Sequence, residues 1–407
     1  MRRPGRIFLI PALLALASCI GRGAPATSTP EAEFRLSNTA RPFTFTPPPS
    51  PVHAEKGPSP TTSALPWSIV QALEALPPSR LYFETKDKVL SIRIDCSGPM
   101  GSCFSEPNSI SPESGDRGGM EVSPDGNLVA IERVDPYGAS GLQRSIRLMS
   151  ADGKRIWAVA QMGTRAPEWS PDGESIAYID YLVSGGQFSR ICFSSIVQPY
   201  RCLPHSGSPY GLGSLAWSPD GKYLAYCEFP DPLFPYVCDL SVVDHGTSSH
   251  TLISHDARDP HWSPDGDLLL FTYIPSEQSI FMAANVNACV GQEDNCASEL
   301  EPIAPGFLYD FSPDGTHATY MTEGRLGVVE AACVLDPQTC TEPPVLLSGP
   351  ENRVLDYSWS PEGDHIAYAA SDESEAGIFI VDIRGYGTVL VQRIDPDYFP
   401  RVDWRPP

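Results

Sequence analysis

The tetrapeptide Ser-Pro-Asp-Gly begins at Ser123, Ser170, Ser218, Ser263 and Ser312, and Ser360-Pro361-Glu362-Gly363 is a sixth, slightly altered copy. The copies are 47, 48, 45, 49 and 48 residues apart. A period that regular marks a repeat architecture and constrains the fold more than any other feature of the chain. The flanks repeat too. A bulky apolar residue precedes each copy (Val122, Trp169, Trp217, Trp262, Phe311, Trp359), and triplets such as Ile176-Ala177-Tyr178, Leu224-Ala225-Tyr226 and Ile366-Ala367-Tyr368 follow. This is the chemistry of a β-hairpin: Pro fixes φ, Asp bonds back to its own turn, and Gly supplies the positive φ that other residues resist. The bulky residues on either side suit strands packed on both faces.

Each period has room for two further short strands, such as 189–196 with 201–203 and 377–383 with 388–393. Four strands per period of this length make a propeller blade. In its Trp-Ser-Pro-Asp-Gly…Ala-Tyr signature the chain resembles the TolB-type β-propellers, over most of residues 80–407. The resemblance implies an all-β propeller and says little about activity, since such propellers serve as docking scaffolds, enzymes and accessory domains. The six motifs open six blades. The C-terminal Phe399-Pro400-Arg401-Val402-Asp403-Trp404 reads as one more inner strand, and Arg80–Phe83 as the second strand of a blade lacking its first, with 89–95 and 102–106 as its third and fourth. Joining the two ends predicts seven four-stranded blades, closed by pairing of the N- and C-terminal strands, which removes free sheet edges. An open ring of six blades with loose tails is the alternative.

Residues 1–18 read as an export signal: Arg2, Arg3 and Arg6 precede an apolar run from Ile7 to Ala17 that is too short to span a bilayer. The run ends in Leu16-Ala17-Ser18-Cys19, which resembles the bacterial lipobox and implies acylation at Cys19. Residues 19–66 are rich in Pro, Ser and Thr and poor in apolar clusters, as expected of an extended tether. Apolar residues at 67, 69, 70, 73 and 76 suggest a short amphipathic helix over 67–78 ahead of the propeller at 79–407. The chain has 11 cysteines. Apart from Cys19 they form close neighbours: Cys96 and Cys103, Cys192 and Cys202, Cys227 and Cys238, Cys289 and Cys296, Cys333 and Cys340. In an exported chain this reads as local disulfides, and no Cys-x-x-Cys argues for zinc. The implied location is the cell envelope, on the extracytoplasmic side of a bacterial membrane. A formal net charge of −22 disfavours nucleic acid as a partner.

No Gly-x-Ser-x-Gly elbow, His-Glu-x-x-His or EF-hand loop occurs, and the sequence offers no complete catalytic set. The residues just before each Trp-equivalent are Glu121, Glu168, Ala216, His261, Asp310, Ser358 and Asp403. By repeat symmetry they form one layer near the central channel. Glu121, Glu168, His261, Asp310 and Asp403 are therefore candidate ligands for a channel cation, the only cofactor the sequence suggests. The competing expectation is that these groups bond the backbone of neighbouring blades. The sequence thus predicts a non-catalytic scaffold binding a protein, peptide or glycan, with a metal-dependent hydrolase or lyase at the channel mouth as the alternative. Four cysteine pairs and the six tight turns are expected on one rim. The opposite rim carries variable loops with only Cys227 and Cys238, and its candidate contacts are Tyr137, Arg165, Tyr210, Phe234, Tyr236, Arg258, Tyr309 and Arg353, since Tyr and Arg dominate interface hot spots.

Overall fold

The structure is a computed structural model. It describes residues 77–407 except 87, 98–102, 112–116, 139–140, 161–162, 182–188, 196–200, 204–210, 231–236, 275–279, 291–299, 305–309, 336–338, 350–352, 372–375, 386, 396–397 and 399. The expected export signal, tether and helical residues 67–76 lie outside the described residues, while Pro77 and Pro78 are not helical.

Among the described residues the strands form six antiparallel sheets. The first joins β1 (Ser79–Glu84), β2 (Val89–Ile94) and β3 (Asn108–Ser109). The second is β4 (Arg117–Val122), β5 (Leu128–Gly138), β6 (Gly141–Ser150) and β7 (Ile156–Ala160), and the third is β8 (Thr164–Trp169), β9 (Ile176–Tyr181), β10 (Ser189–Ser194) and β11 (Arg201–Cys202). A seven-stranded sheet follows: β12 (Leu212–Trp217), β13 (Tyr223–Glu228), β14 (Cys238–Asp244), β15 (His250–Trp262), β16 (Leu268–Tyr273), β17 (Ile280–Asn285) and β18 (Leu300–Ala304), with the short helix α1 (Val286–Cys289) after β17. The fifth sheet holds β19 (His317–Thr322), β20 (Arg325–Glu330) and β21 (Val345–Leu346), with α2 (Ala331–Leu335) after β20. Among the described residues, its inner position holds a bridge between Phe311 and Ala318. The last is β22 (Arg353–Trp359), β23 (His365–Ser371), β24 (Ala376–Asp382) and β25 (Thr388–Ile394), and β26 (Val402–Arg405) returns to the first sheet as its inner strand.

The sheet count is six, where the sequence predicts seven blades, because two repeat periods share one sheet. The outer strand of the Ser218 period and the inner strand of the Ser263 period are the single strand β15, which pairs with β14 at one end and β16 at the other. The count matches the six-bladed alternative. The loose tails of that alternative do not form: β26 pairs with β1 in the register Arg80–Arg405, Leu81–Trp404, Tyr82–Asp403, Phe83–Val402. The expected strand over 102–106 is replaced by a lone bridge from Phe104 to Ile94, and pairing resumes at β3.

Alternation along the strands explains the packing. In β1, Leu81 and Phe83 join a core with Trp404, Ile92, Ile378 and Ile380, whereas Tyr82 between them joins Met120, Val122 and Val129 on the other side. Each sheet is buried on both faces against its neighbours, as period-2 geometry demands. Successive inner strands lie side by side: β26 with β4, β4 with β8, β8 with β12, β12 with β15, and β22 with β26.

The turns obey one rule. The Ser Oγ donates to the Asp Oδ1 at 2.5–2.6 Å in the five unaltered copies. It also accepts from the backbone amide five residues on, as from Leu128 at 2.9 Å and Ser175 at 3.0 Å. In the sixth copy, where Glu362 replaces the Asp, Ser360 donates instead to Asp364, two residues further on, at 3.2 Å. The turn glycines have φ of 70–80°. A Cβ on Gly173, Gly221 or Gly266 would meet the proline of the preceding turn (Pro124, Pro171, Pro219) at 3.6–3.8 Å. At Gly126 it would meet the Pro406 carbonyl at 2.6 Å. Trp404-Arg405-Pro406 therefore stands where Trp-Ser-Pro stands in the other copies, and the C-terminus completes the row of turns.

Candidate functional site

Two places can carry function: the layer of side chains on the inner strands, and the rim opposite the Ser-Pro-Asp-Gly turns. The layer is built by β-bulges. The register shifts between Arg117 and Gly119, Arg165 and Glu168, Gly213 and Leu215, Arg258 and His261, and Val354 and Asp356. The extra residue adopts positive φ at Ala166 (51°), Ser214 (44°) and Asp259 (51°), with Gly119 at 142°. Non-glycine residues avoid this region unless their surroundings hold them there. At Ala166 the support is visible: buried Glu132 of the preceding sheet accepts from its amide at 3.0 Å and pairs with Arg144. A positive φ recurs three residues before Val122, Trp169, Trp217 and Trp262, and only Gly119 signals it in sequence.

Past the bulge, the layer residues meet. Asp403 accepts from the Val122 amide at 3.0 Å, and Ser358 accepts from the Trp404 amide at 3.0 Å. Asp356 accepts from the Val402 amide at 2.7 Å. Indole nitrogens reinforce the same junctions: Trp169 donates to the Glu121 carbonyl at 3.2 Å, Trp262 to Ala216 at 3.0 Å and Trp359 to Asp310 at 3.4 Å. An inner strand has no backbone partner on its channel side, and these side chains supply bonds its free edge would otherwise lack. That answers the expectation for Asp403 and Ser358.

The sequence missed Arg405. Its Nε lies 2.8 Å from Asp403 Oδ1, and a terminal nitrogen lies 3.9 Å from Glu121 Oε1. Burial, then the charges of Glu168 and Asp403, hold the Glu121 carboxyl well above the usual range, with Arg405 and Arg401 pulling it back. Burial pushes Glu168 up to about 8 against the pull of Arg405. Burial also raises Asp310, which His261 opposes, and raises Asp403 and Asp356, the last to about 6. The layer is nonetheless wet, since 29% of the Glu121 side chain and 32% of Arg405 remain accessible. Among the described residues, Glu121, Glu168, His261, Asp310 and Asp403 do not bring three ligand atoms within 4.8 Å of one another. Where a cation would bridge Asp403 and Glu121, the guanidinium of Arg405 stands. Asp180, Cys192 and Cys202 do converge to that degree, but the two sulfurs are joined to each other.

Strand order fixes the rims. Strand one of a period ends at the Ser-Pro-Asp-Gly turn, and antiparallel strand three ends on the same side. Cys96–Cys103 and Cys333–Cys340 lie in connections from third to fourth strands, and Cys192–Cys202 joins the paired third and fourth strands β10 and β11 near that end. Cys289 in α1, on the same side, is disulfide-bonded, and Cys296 falls outside the described residues. Cys227–Cys238 instead joins the end of β13 to the start of β14 on the opposite rim. Of the candidate contacts there, Arg353 is exposed. Arg258 is half-buried, 3.3 Å from Asp259. Arg165 is committed elsewhere: it donates to the Leu212 carbonyl at 2.6 Å, and its guanidinium lies 4.7 Å over the Tyr181 ring. The Tyr137 side chain and residues Tyr210, Phe234, Tyr236 and Tyr309 lie outside what is described.

An all-β ring of repeated antiparallel sheets, closed by its two ends around a layer of inner-strand side chains, defines the β-propeller class. The chain is similar to TolB from Acinetobacter baumannii (14% identity, 87% of this chain and 89% of that one, TM-score 0.46). It is also similar to a prolyl endopeptidase (14% identity, 81% of this chain and 52% of that one, TM-score 0.56) and to prolyl oligopeptidase B from Galerina marginata (12% identity, 81% and 54%, TM-score 0.55). The chain spans about half the length of those two enzymes, and at this identity the likeness is one of fold. No protein-family model matches the chain, and no curated protein matches it in sequence.

Proposed function

We propose that this protein is a non-catalytic scaffold of the cell envelope, acylated at Cys19 and tethered by residues 19–66, that binds a protein, peptide or glycan through the rim opposite the Ser-Pro-Asp-Gly turns. The observation that carries the reading is the unequal distribution of staples. Three described disulfides, the bonded Cys289 and all six tight turns stiffen one rim, whereas the other presents sheet-to-sheet connections and a single clamped loop between Cys227 and Cys238. Binding loops set on a rigid frame are a common arrangement, and a loop closed by a disulfide loses less entropy on binding. Support for an extracytoplasmic site comes from the same disulfides, which persist in oxidising compartments.

Two measurements test this. Cys19→Ala should release the protein from membranes or block its processing, and unchanged membrane retention refutes the anchor. Cross-linking in native envelopes should place partner contacts on loop 229–237 and around Arg353. Contacts confined to the Ser-Pro-Asp-Gly rim would show the functional face to be the other one.

A further inference from the structure

The described disulfides differ in what surrounds their sulfurs. Cys227 and Cys238, which clamp the variable-rim loop, are both buried, at 2% and 1% exposure, and among the described residues neither sulfur has a carboxylate within hydrogen-bond reach. On the Ser-Pro-Asp-Gly rim two bonds share a different construction. Each joins a buried cysteine to a more open one: Cys192 is buried and Cys202 half-buried, Cys333 is buried and Cys340 exposed. In each, a carboxylate stands beside the buried sulfur. Asp180 Oδ2 lies 3.9 Å from Cys192 Sγ, and Glu330 Oε2 lies 3.9 Å from Cys333 Sγ. Both carboxylates are held in place. Asp180 accepts from Nε and Nη2 of Arg190 at 2.9 and 2.8 Å, and Glu330 accepts from the Thr341 amide at 2.9 Å and from its hydroxyl. A disulfide sulfur carries no hydrogen to offer these oxygens, whereas a thiol donates one. The carboxylates therefore favour the reduced form of each pair.

We propose that Cys192–Cys202 and Cys333–Cys340 are reducible catches, opened by a thiol reductant while Cys227–Cys238 stays closed. A thiolate of the reductant bonds to the sulfur of the more open cysteine, Cys202 or Cys340, and the protein S–S bond breaks. Its electron pair passes to Cys192 or Cys333, which takes up a proton and donates a hydrogen bond to the waiting carboxylate. A second thiolate then displaces Cys202 or Cys340, so that two reductant thiols become one disulfide and one protein disulfide becomes two thiols. The carboxylate acts on the equilibrium; it does not speed the exchange, since a thiolate beside it is the poorer leaving group. Opening leaves the two-residue strand β11 without its covalent tie to β10. Arg201 on β11 donates from Nη2 to the His245 carbonyl at 3.0 Å and lies 5.3 Å over the Phe193 ring, and the next residue after β11, Leu203, packs in one core with Trp217. The thiol state is thus passed to the contact between the third and fourth sheets. One rim softens, and the loop on the other keeps its clamp. The catches stand or fall independently of the binding role.

The test is a redox titration of the intact chain in glutathione buffers, trapped by alkylation and read pair by pair by peptide mass spectrometry. Amide hydrogen exchange of peptides covering Leu269–Phe271 reports whether the fold persists. The equilibrium constants for opening Cys192–Cys202 and Cys333–Cys340 should each exceed that of Cys227–Cys238 by at least about tenfold, with Leu269–Phe271 still protected. Asp180→Asn and Glu330→Gln should each make their own pair about threefold harder to open and leave the other pair unchanged, since a charged acceptor gives way to a neutral one. Should a variant not fold, the order of opening in the parent still decides. Either rim pair opening only together with Cys227–Cys238, Cys227–Cys238 opening first, or folded variants with unchanged equilibria would overturn the catches.

Discussion

The two rims are made by the same strands under opposite rules. On the Ser-Pro-Asp-Gly rim five turns repeat one hydrogen-bond pattern, the turn glycines lean on the preceding turn, and three third-to-fourth strand pairs are cross-linked. On the opposite rim the second-to-third connections range from two residues (139–140 and 323–324) to nine (229–237), and three strand entries run through bulges with positive φ at Ala166, Ser214 and Asp259. Local sequence dictates the first rim; contacts with the neighbouring sheet dictate the second. The difference shows where substitution is constrained by stability and where the fold leaves sequence free for recognition.

The comparison breaks most visibly at the C-terminus, because β26 and Pro406 complete the row of turns. Deleting 398–407 should abolish the cooperative thermal transition of the parent, and a truncated chain that melts like the full one would mean that the ends do not close the ring. Trp404→Ala alone, at a side chain only 1% exposed, should cost about 3–5 kcal/mol by chemical denaturation. Next come the staples. Replacing Cys192 with Cys202 by Ser, or Cys227 with Cys238 by Ser, should cost about 2–3 kcal/mol in either case, since the loops are of similar length. Only the second pair should weaken partner capture. Equal effects on capture would erase the functional distinction between the rims.

A smaller effect is expected within one turn. Ser170 donates to Asp172 and accepts from the Ser175 amide, and its carbonyl accepts from Gly173. Ser170→Ala should cost about 1–2 kcal/mol, because the half-buried Ser175 amide loses its partner. That cost should recur for Ser218→Ala and Ser263→Ala, and a spread wider than the measurement error would show that the turns are not equivalent.

What could be read from the sequence follows the same division. The turn was legible because it needs Pro, Asp and Gly at fixed offsets, and closure was legible because Trp404 repeats the residue before each turn. The continuity of β15 was not, since nothing in His250–Trp262 distinguishes a strand that bends from one sheet into the next from two strands with a break. The bulges were hidden because Ala166 and Ser214 have no preference for the conformation they adopt and a lone Asp such as Asp259 is a weak signal; at Ala166 the neighbouring sheet supplies the support through Glu132. Arg405 was overlooked because it stands where the repeat has Ser, in a position read only as the end of the motif. Symmetry assigns the layer residues to equivalent positions on the inner strands, but it carries no information about the guanidinium that β26 inserts beside Asp403 and Glu121.

The smallest expected effect separates two arginines of the variable rim that sequence treats alike. Arg165 is tied to the Leu212 carbonyl at 2.6 Å and stacks over Tyr181, whose hydroxyl donates to the same carbonyl at 3.1 Å. It therefore pins β8 to the start of β12. Arg165→Ala should cost about 1–2 kcal/mol, since a charged hydrogen bond and a cation–π contact are lost together. Arg353 is exposed at the start of β22, and Arg353→Ala should change stability by no more than about 0.5 kcal/mol. If the rim binds a partner, the order inverts in a capture assay: Arg353→Ala weakens binding at unchanged stability, whereas any loss with Arg165→Ala follows its stability loss and disappears when capture is measured well below its melting temperature. An Arg353 variant with normal capture would leave the Cys227–Cys238 loop to carry the recognition without it.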